Sequence, residues 1–224
     1  MNGVLGDILP FAVTVAISPV PIIATILMLM SPRPKPLGLG FLAGWVAGIA
    51  VAVGIFTLLA GVIPEKADDP GPQPIVGSIQ LLFGLALLLL AVKQWRSRPK
   101  PGEVAQLPKW MAAIDTMKPA AALGLAFLLA AVNPKNLLMA AAAGVSIGRA
   151  ALGTGPTLLA VLTFIVVAAL SVLAPVVIYL VAPAKAAGML DHIRIWLTAN
   201  NATIMMVVML VLGVQLLGKG IGSF

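Results

Sequence analysis

Apolar runs of about 20 residues, the length a helix needs to cross a bilayer, recur along the whole chain. Six stand out, at 4–30, 37–63, 75–95, 119–148, 155–182 and 200–221. Between them lie short clusters such as SPRPKP at 31–36 and PEKADDPGPQP at 64–74, rich in the proline, glycine and charge that end helices. The pattern predicts an all-α integral membrane protein with six transmembrane helices. Two other stretches set apolar side chains at helical spacing on a polar background. In 103–117 these are Val104, Leu107, Met111 and Ile114. In 184–198 they are Leu190, Ile193 and Leu197, opposite Lys185, Asp191 and Arg194. Each is expected to lie as a helix on the membrane surface, with Asn200 and Asn201 capping the last span.

The spans also repeat. ISPVP in the first puts Ser18 and Pro19 about fifteen residues from its start, and VNPKN in the fourth puts Asn133 and Pro134 equally far in. The shift between them is 115 residues, and it also carries Leu37-Gly38-Leu39-Gly40 onto Leu152-Gly153-Thr154-Gly155. Spans three and six align Leu82-Phe83-Gly84 with Val211-Leu212-Gly213 at a shift of 129. Three spans is an odd number, so the second half enters the membrane from the opposite side. The expected organisation is a single membrane domain: a three-helix repeat at 1–97, a basic loop at 98–118 and an inverted repeat at 119–224. In transporters built this way the site lies where corresponding interrupted helices meet. Gly40, Gly44 and Gly48, at GxxxG spacing in the second span, predict close helix packing, within the chain or between copies.

Composition agrees with the pattern. The 224 residues are 61% hydrophobic and 9% charged, where a soluble domain has about 45–50% and about 25%. A net charge of +7 raises nucleic acid as a partner, but the basic residues sit in short loops between apolar spans, so none is expected. Lys66, Arg149 and Lys219 fall on one side of the six-span arrangement. With Lys135 set aside as intramembrane, the other side takes the rest, from Arg33 and Lys35 through the 93–118 segment to Lys185 and Arg194. The positive-inside rule then puts both termini outside. The first span has no basic residue before it and carries Asp7, which is not the pattern of a signal peptide, so it is expected to be retained. Trp95, Trp110 and Trp196 fall on the predicted cytoplasmic side, as interfacial anchors do.

Chemistry concentrates at the two breaks. Proline has no N–H, so Pro19, Pro21 and Pro134 free the carbonyls of Val15, Ile17 and Ala130. Unpaired backbone of this kind survives in a membrane only against protein or a watery cavity. Ser18, Asn133 and Asn136 can bond to loosened backbone, and Thr14, Ser18 and Thr25 fall on one face of the first span. Lys135 is the decisive residue. A lysine at a helix centre costs about 2.5–3.5 kcal/mol and normally faces the bundle interior. At ~1.5 Å per residue it lies roughly 20 Å from either end of 119–148, and its stem of about 6 Å does not reach the interface. It would hold an anionic group of a substrate, or carry a coupling proton as an amine removed from water. No span has a central Asp or Glu to pair with it, which favours a counter-charge arriving with the substrate. No cofactor or metal is expected: the chain has no cysteine and one histidine, His192, in a surface segment. No nucleophile–base constellation lies near an interface, so the chain is not expected to be an enzyme.

Six spans in two inverted halves, a proline break in span one and NPK in span four resemble the LysE superfamily of exporters. In that superfamily the first break is commonly GP-x-N; Ser18-Pro19-Val20-Pro21 departs from it, away from the amino-acid exporters. ISPVPIIATILML, the basic loop after AVKQWRSRP, and WLTANNATIMMVVMLVLGVQLLGKGI are more similar to the GAP (Sap) branch. Members of that branch are associated with moving envelope lipids such as glycopeptidolipid and sulfolipid. Only Pro19, Asn133, Pro134 and Lys135 match superfamily positions well. The resemblance implies a proton-linked exporter of an amphipathic or anionic substrate, such as a cell-envelope glycolipid, in a bacterial inner membrane. The alternatives are a non-transporting scaffold for envelope-lipid synthesis or export, and a small-solute or amino-acid exporter. Partners follow from these: a lipid substrate, the membrane, and either another copy or envelope-lipid machinery.

Overall fold

The structure is a computed structural model and describes residues 2–62, 74–98, 109–150 and 152–224. The described chain is helical: α1 (Asn2–Ala16), α2 (Pro19–Leu29), α3 (Pro34–Val62), α4 (Pro74–Arg96), a short 3₁₀ helix (Lys109–Thr116), α5 (Pro119–Ala131), α6 (Pro134–Arg149), α7 (Thr154–Val181) and α8 (Pro183–Ile221). Six of these helices begin on a proline. Its fixed φ suits the first helical position, and its missing N–H is one the helix would leave unpaired there. Proline therefore starts helices in this chain, and two of those starts fall inside predicted spans.

Predicted spans one and four are accordingly each two helices. α1 and α2 meet at 52°, and α5 and α6 at 62°. Thr14 and Thr25 thus stand on separate helices, and the single face expected for Thr14, Ser18 and Thr25 is broken at Ser18. The helices α3, α7 and α8 are each long and apolar enough to cross a membrane, and each bent pair would add one more crossing. That gives three to five candidate crossings among the described residues; α4, over the predicted third span, is not among them.

Two compact units result, one from Met1–Glu65 and Leu107–Ile195, the other from Lys66–Gln106 and Trp196–Phe224. In the first unit α3 is the central element, packed on α2, α5, α6 and α7. Its glycines set the spacing. A Cβ on Gly40 would lie 2.9 Å from the Pro119 carbonyl oxygen, and one on Gly48 2.8 Å from that of Phe127. One on Gly44 would collide with the Leu123 carbonyl. The GxxxG stripe is thus spent inside the chain, backbone against backbone on α5. Gly144 of α6 does the same against Val53 of α3, at 2.8 Å. Ile26, Leu29, Val176, Ala186 and Leu190 form a buried cluster of the same unit. In the second unit α4 meets the end of α8 through paired glycines. Cβ atoms on Gly77 and Gly84 would come within 2.9 and 3.0 Å of the carbonyls of Gly220 and Gly213.

Two expectations change. In 103–117 only the 3₁₀ helix is described, with Val104 and Leu107 outside the described residues. Met111 and Ile114 are buried, and the helix packs on α2 instead of presenting that face to lipid. Their spacing of three residues is the repeat of a 3₁₀ helix. The segment 184–198 is the start of the 39-residue α8, continuous through Asn200 and Asn201. Asn200 is no cap: its Nδ2 donates to the Trp196 carbonyl at 2.8 Å. An asparagine inside a helix costs at most about 0.7 kcal/mol, too little to end it. The predicted loop at 64–74 lies almost wholly outside the described residues.

Candidate functional site

Each break leaves carbonyls without backbone donors. At the first, Ser18 takes an extended conformation (φ −123°, ψ 102°) as the cap of α2, with no side-chain cap bond. Its N–H turns to the Ala16 carbonyl at 2.8 Å, which removes the usual partner of the Thr14 carbonyl. Pro21 has no N–H for the Ile17 carbonyl. The Lys135 ammonium supplies both, donating to Thr14 O at 2.8 Å and Ile17 O at 3.4 Å. The lysine of the second break thus fastens the first. A hydrogen bond to a charged group contributes about 1.5–3 kcal/mol.

At the second break Asn133 caps α6, its Oδ1 accepting the Lys135 backbone N–H at 3.1 Å. Asn136, only 1% exposed, reaches back across the break and donates through Nδ2 to Leu129 O at 2.9 Å. Leu129 is the residue 115 positions after Thr14. Corresponding carbonyls in the two breaks are therefore held by neighbouring side chains of one helix, Lys135 and Asn136 of α6.

The remaining candidates sit close by without joining this network. Thr14 and Thr25 both turn their hydroxyls back on their own helices, onto Pro10 O and Pro21 O at 2.8 Å. Ser18 is buried beside Pro19 and Pro21. Pro134 starts α6 and sets Lys135 in its first turn. Sequence reasoning missed two features. Trp45 of α3 is fully buried, stacked on Phe41 with 6.4 Å between ring centroids, and its Nε1 has no acceptor. The Asn136 Oδ1 is likewise buried without a donor. No local pattern announces either. The acceptors of Lys135 had a signal, because Pro21 frees the Ile17 carbonyl.

Among the described residues no carboxylate meets Lys135. Its side-chain nitrogen meets two backbone carbonyl oxygens instead, an arrangement suited to an anion. Arg194 and Asp191 form an ion pair one helical turn apart on α8. Among the described residues no group of histidine and carboxylate side chains could hold a metal ion. His192 is exposed on α8, its Nδ1 2.7 Å from the Gly188 carbonyl. Trp95 is exposed with the Arg98 guanidinium 3.5 Å from its ring centre, and Trp196 is exposed as well.

No curated protein and no solved structure matches the chain. One family model does, described as Sap, sulfolipid-1-addressing protein, over residues 8–222. With nearly its whole length matched, this apolar helical chain of two broken helices and an internal lysine belongs to the Sap, sulfolipid-1-addressing, family.

Proposed function

We propose that the chain is a multi-pass exporter of the bacterial inner membrane that moves an anionic envelope lipid by alternating access between two inverted halves, coupled to the proton gradient. It has no catalytic chemistry in this reading. The observation that carries it is the Lys135 ammonium, held inside the first unit between two broken helices with no counter-charge among the described residues. A sulfated headgroup, of the kind the family description names, would supply the missing charge.

Several features support six spans in an inverted three-plus-three arrangement, as in the LysE superfamily. The two breaks match at a shift of 115 residues: α1 ends at Ala16 and α5 at Ala131, while α2 starts at Pro19 and α6 at Pro134. Each compact unit draws one share from each half: α1–α3 with α5–α7, and α4 with the end of α8. Gly84 and Gly213, matched across the halves, touch each other. Equivalent residues of a two-fold repeat meet in this way only near its axis. α4 is then the third span.

Lipid profiling of the outer envelope in cells carrying Lys135→Met, at matched protein level, tests the reading. Loss of one anionic lipid from the envelope is expected. Unchanged export overturns the site. The bonding of Lys135 to backbone favours one other reading, a scaffold for envelope-lipid machinery in which the lysine is only a structural tie. In that case Lys135→Arg and Lys135→Met both preserve export once the protein folds.

A further inference from the structure

The two halves repeat much of each other's packing, and α1–α6 is the largest contact without a counterpart. Exchanging α1, α2 and α3 for α5, α6 and α7 turns the α1–α7 contact into α5–α3, α2–α7 into α6–α3, and α2–α3 into α6–α7; all are present. The α1–α6 contact has no comparable counterpart, because α5 and α2 make at most a marginal contact among the described residues. Burial follows the difference. Ile8 on α1 is 0% exposed, whereas Leu123, its equivalent on α5, is 44% exposed.

Lys135 sits on the closed side of this asymmetry, with its two hydrogen bonds joining α6 to α1. The equivalent position in the first half is Val20. Valine offers no donor to Leu129 O or Val132 O, the equivalents of the carbonyls that Lys135 holds. Of two related interfaces, only one can be fastened by an ammonium. In an inverted repeat the halves can exchange conformations, and the exchanged arrangement closes α5 on α2 while α1 leaves α6.

We propose that Lys135 is a one-sided latch: its bonds to Thr14 and Ile17 hold α1 on α6 in the present state, and their release passes the molecule to a second state in which α5 closes on α2. The latch rests on the inverted-repeat reading above. It assigns the lysine a conformational task beyond contact with a substrate. The second state has no equivalent fastening, so the present one is favoured at rest. Losing a charged hydrogen bond shifts such a balance by about tenfold or more.

The chain contains no cysteine, so spin labels can be placed in pairs without removing native thiols. Val13→Cys with Arg149→Cys reports α1 against α6, and Leu128→Cys with Met30→Cys reports α5 against the end of α2. All four positions are exposed. Pulsed electron–electron distances on the full chain in lipid nanodiscs are the measurement. In Lys135→Met the first pair is expected to lengthen and the second to shorten, each by about 5 Å, the scale of a one-turn shift. Lys135→Arg is expected to keep the native distances. Val20→Lys, on a chain that retains Lys135, is expected to give each pair two populations, since α5 then has a latch of its own. Native distances in folded Lys135→Met, or a single population in Val20→Lys, overturn the latch. Export assayed in parallel separates the two readings. Shifted distances with intact export keep the latch and sink Lys135 as the substrate site, while lost export with native distances does the reverse.

Discussion

Each polar side chain at the breaks has a local or a distant task, and the two kinds respond differently to substitution. Asn133 caps α6 through the Lys135 N–H, a bond whose loss costs about 0.5–2 kcal/mol. Asn133→Ala is expected to lower the unfolding midpoint in detergent by about 2–4 °C, and Asn133→Asp to restore most of it. Thr25 is buried with its hydroxyl on its own helix, a back-bond that slightly destabilises helices. Thr25→Val is therefore expected to fold and export as the native chain does. Loss of export in that variant would return the hydroxyl to the site. The capping asparagine, the prolines and the buried lysine were legible in the sequence because their chemistry is local. The partners of Lys135 were not, since pairing it with carbonyls 121 and 118 residues away needs the tertiary arrangement. Asn136 was legible as a polar residue near a break, but its reach to Leu129 depends on the 62° bend.

Helix contacts are set mainly by glycine, and glycines in one sequence are not equal. Gly44 has the Leu123 carbonyl where a methyl would go, whereas Gly124 has nothing within 4 Å. Gly44→Ala is expected to push α3 off α5 and leave little monodisperse protein on size-exclusion chromatography. Gly124→Ala adds helix propensity of about 0.5–1 kcal/mol and is expected to raise the midpoint. Equal behaviour of the two would sink the backbone-to-backbone account. The stripe itself was legible from its spacing of four; its partner on α5 was not, because GxxxG states that a close neighbour exists without naming it. Apolar length located α3 and α7 well, with prolines or glycines at their starts. It located the last span within α8 but not the start of that helix, whose 39 residues at about 1.5 Å each exceed a hydrocarbon core of roughly 30 Å almost twofold. Two asparagines looked like an end there, and they lie inside the helix.

For the molecule as a whole, the proposed inverted arrangement predicts which surfaces face the same side. Phe224 is exposed at one end of the sequence, and Lys118 is exposed before α5. A membrane-impermeant maleimide added to intact cells is expected to modify Phe224→Cys and to spare Lys118→Cys until the membrane is permeabilised. The opposite pattern would invert the orientation drawn from the basic loops. The shift of 115 residues between the two breaks was legible, while the asymmetry between α1–α6 and α5–α2 was not, because it arises only in the tertiary packing. The cross-chain bond of Lys135 also has a consequence for biosynthesis. Its acceptor on Thr14 leaves the ribosome 121 residues earlier, which at about 5–20 residues per second is roughly 6–24 s of translation. The carbonyls that receive the ammonium are thus already in the membrane when the lysine emerges. A residue costly to insert arrives after its binding partners.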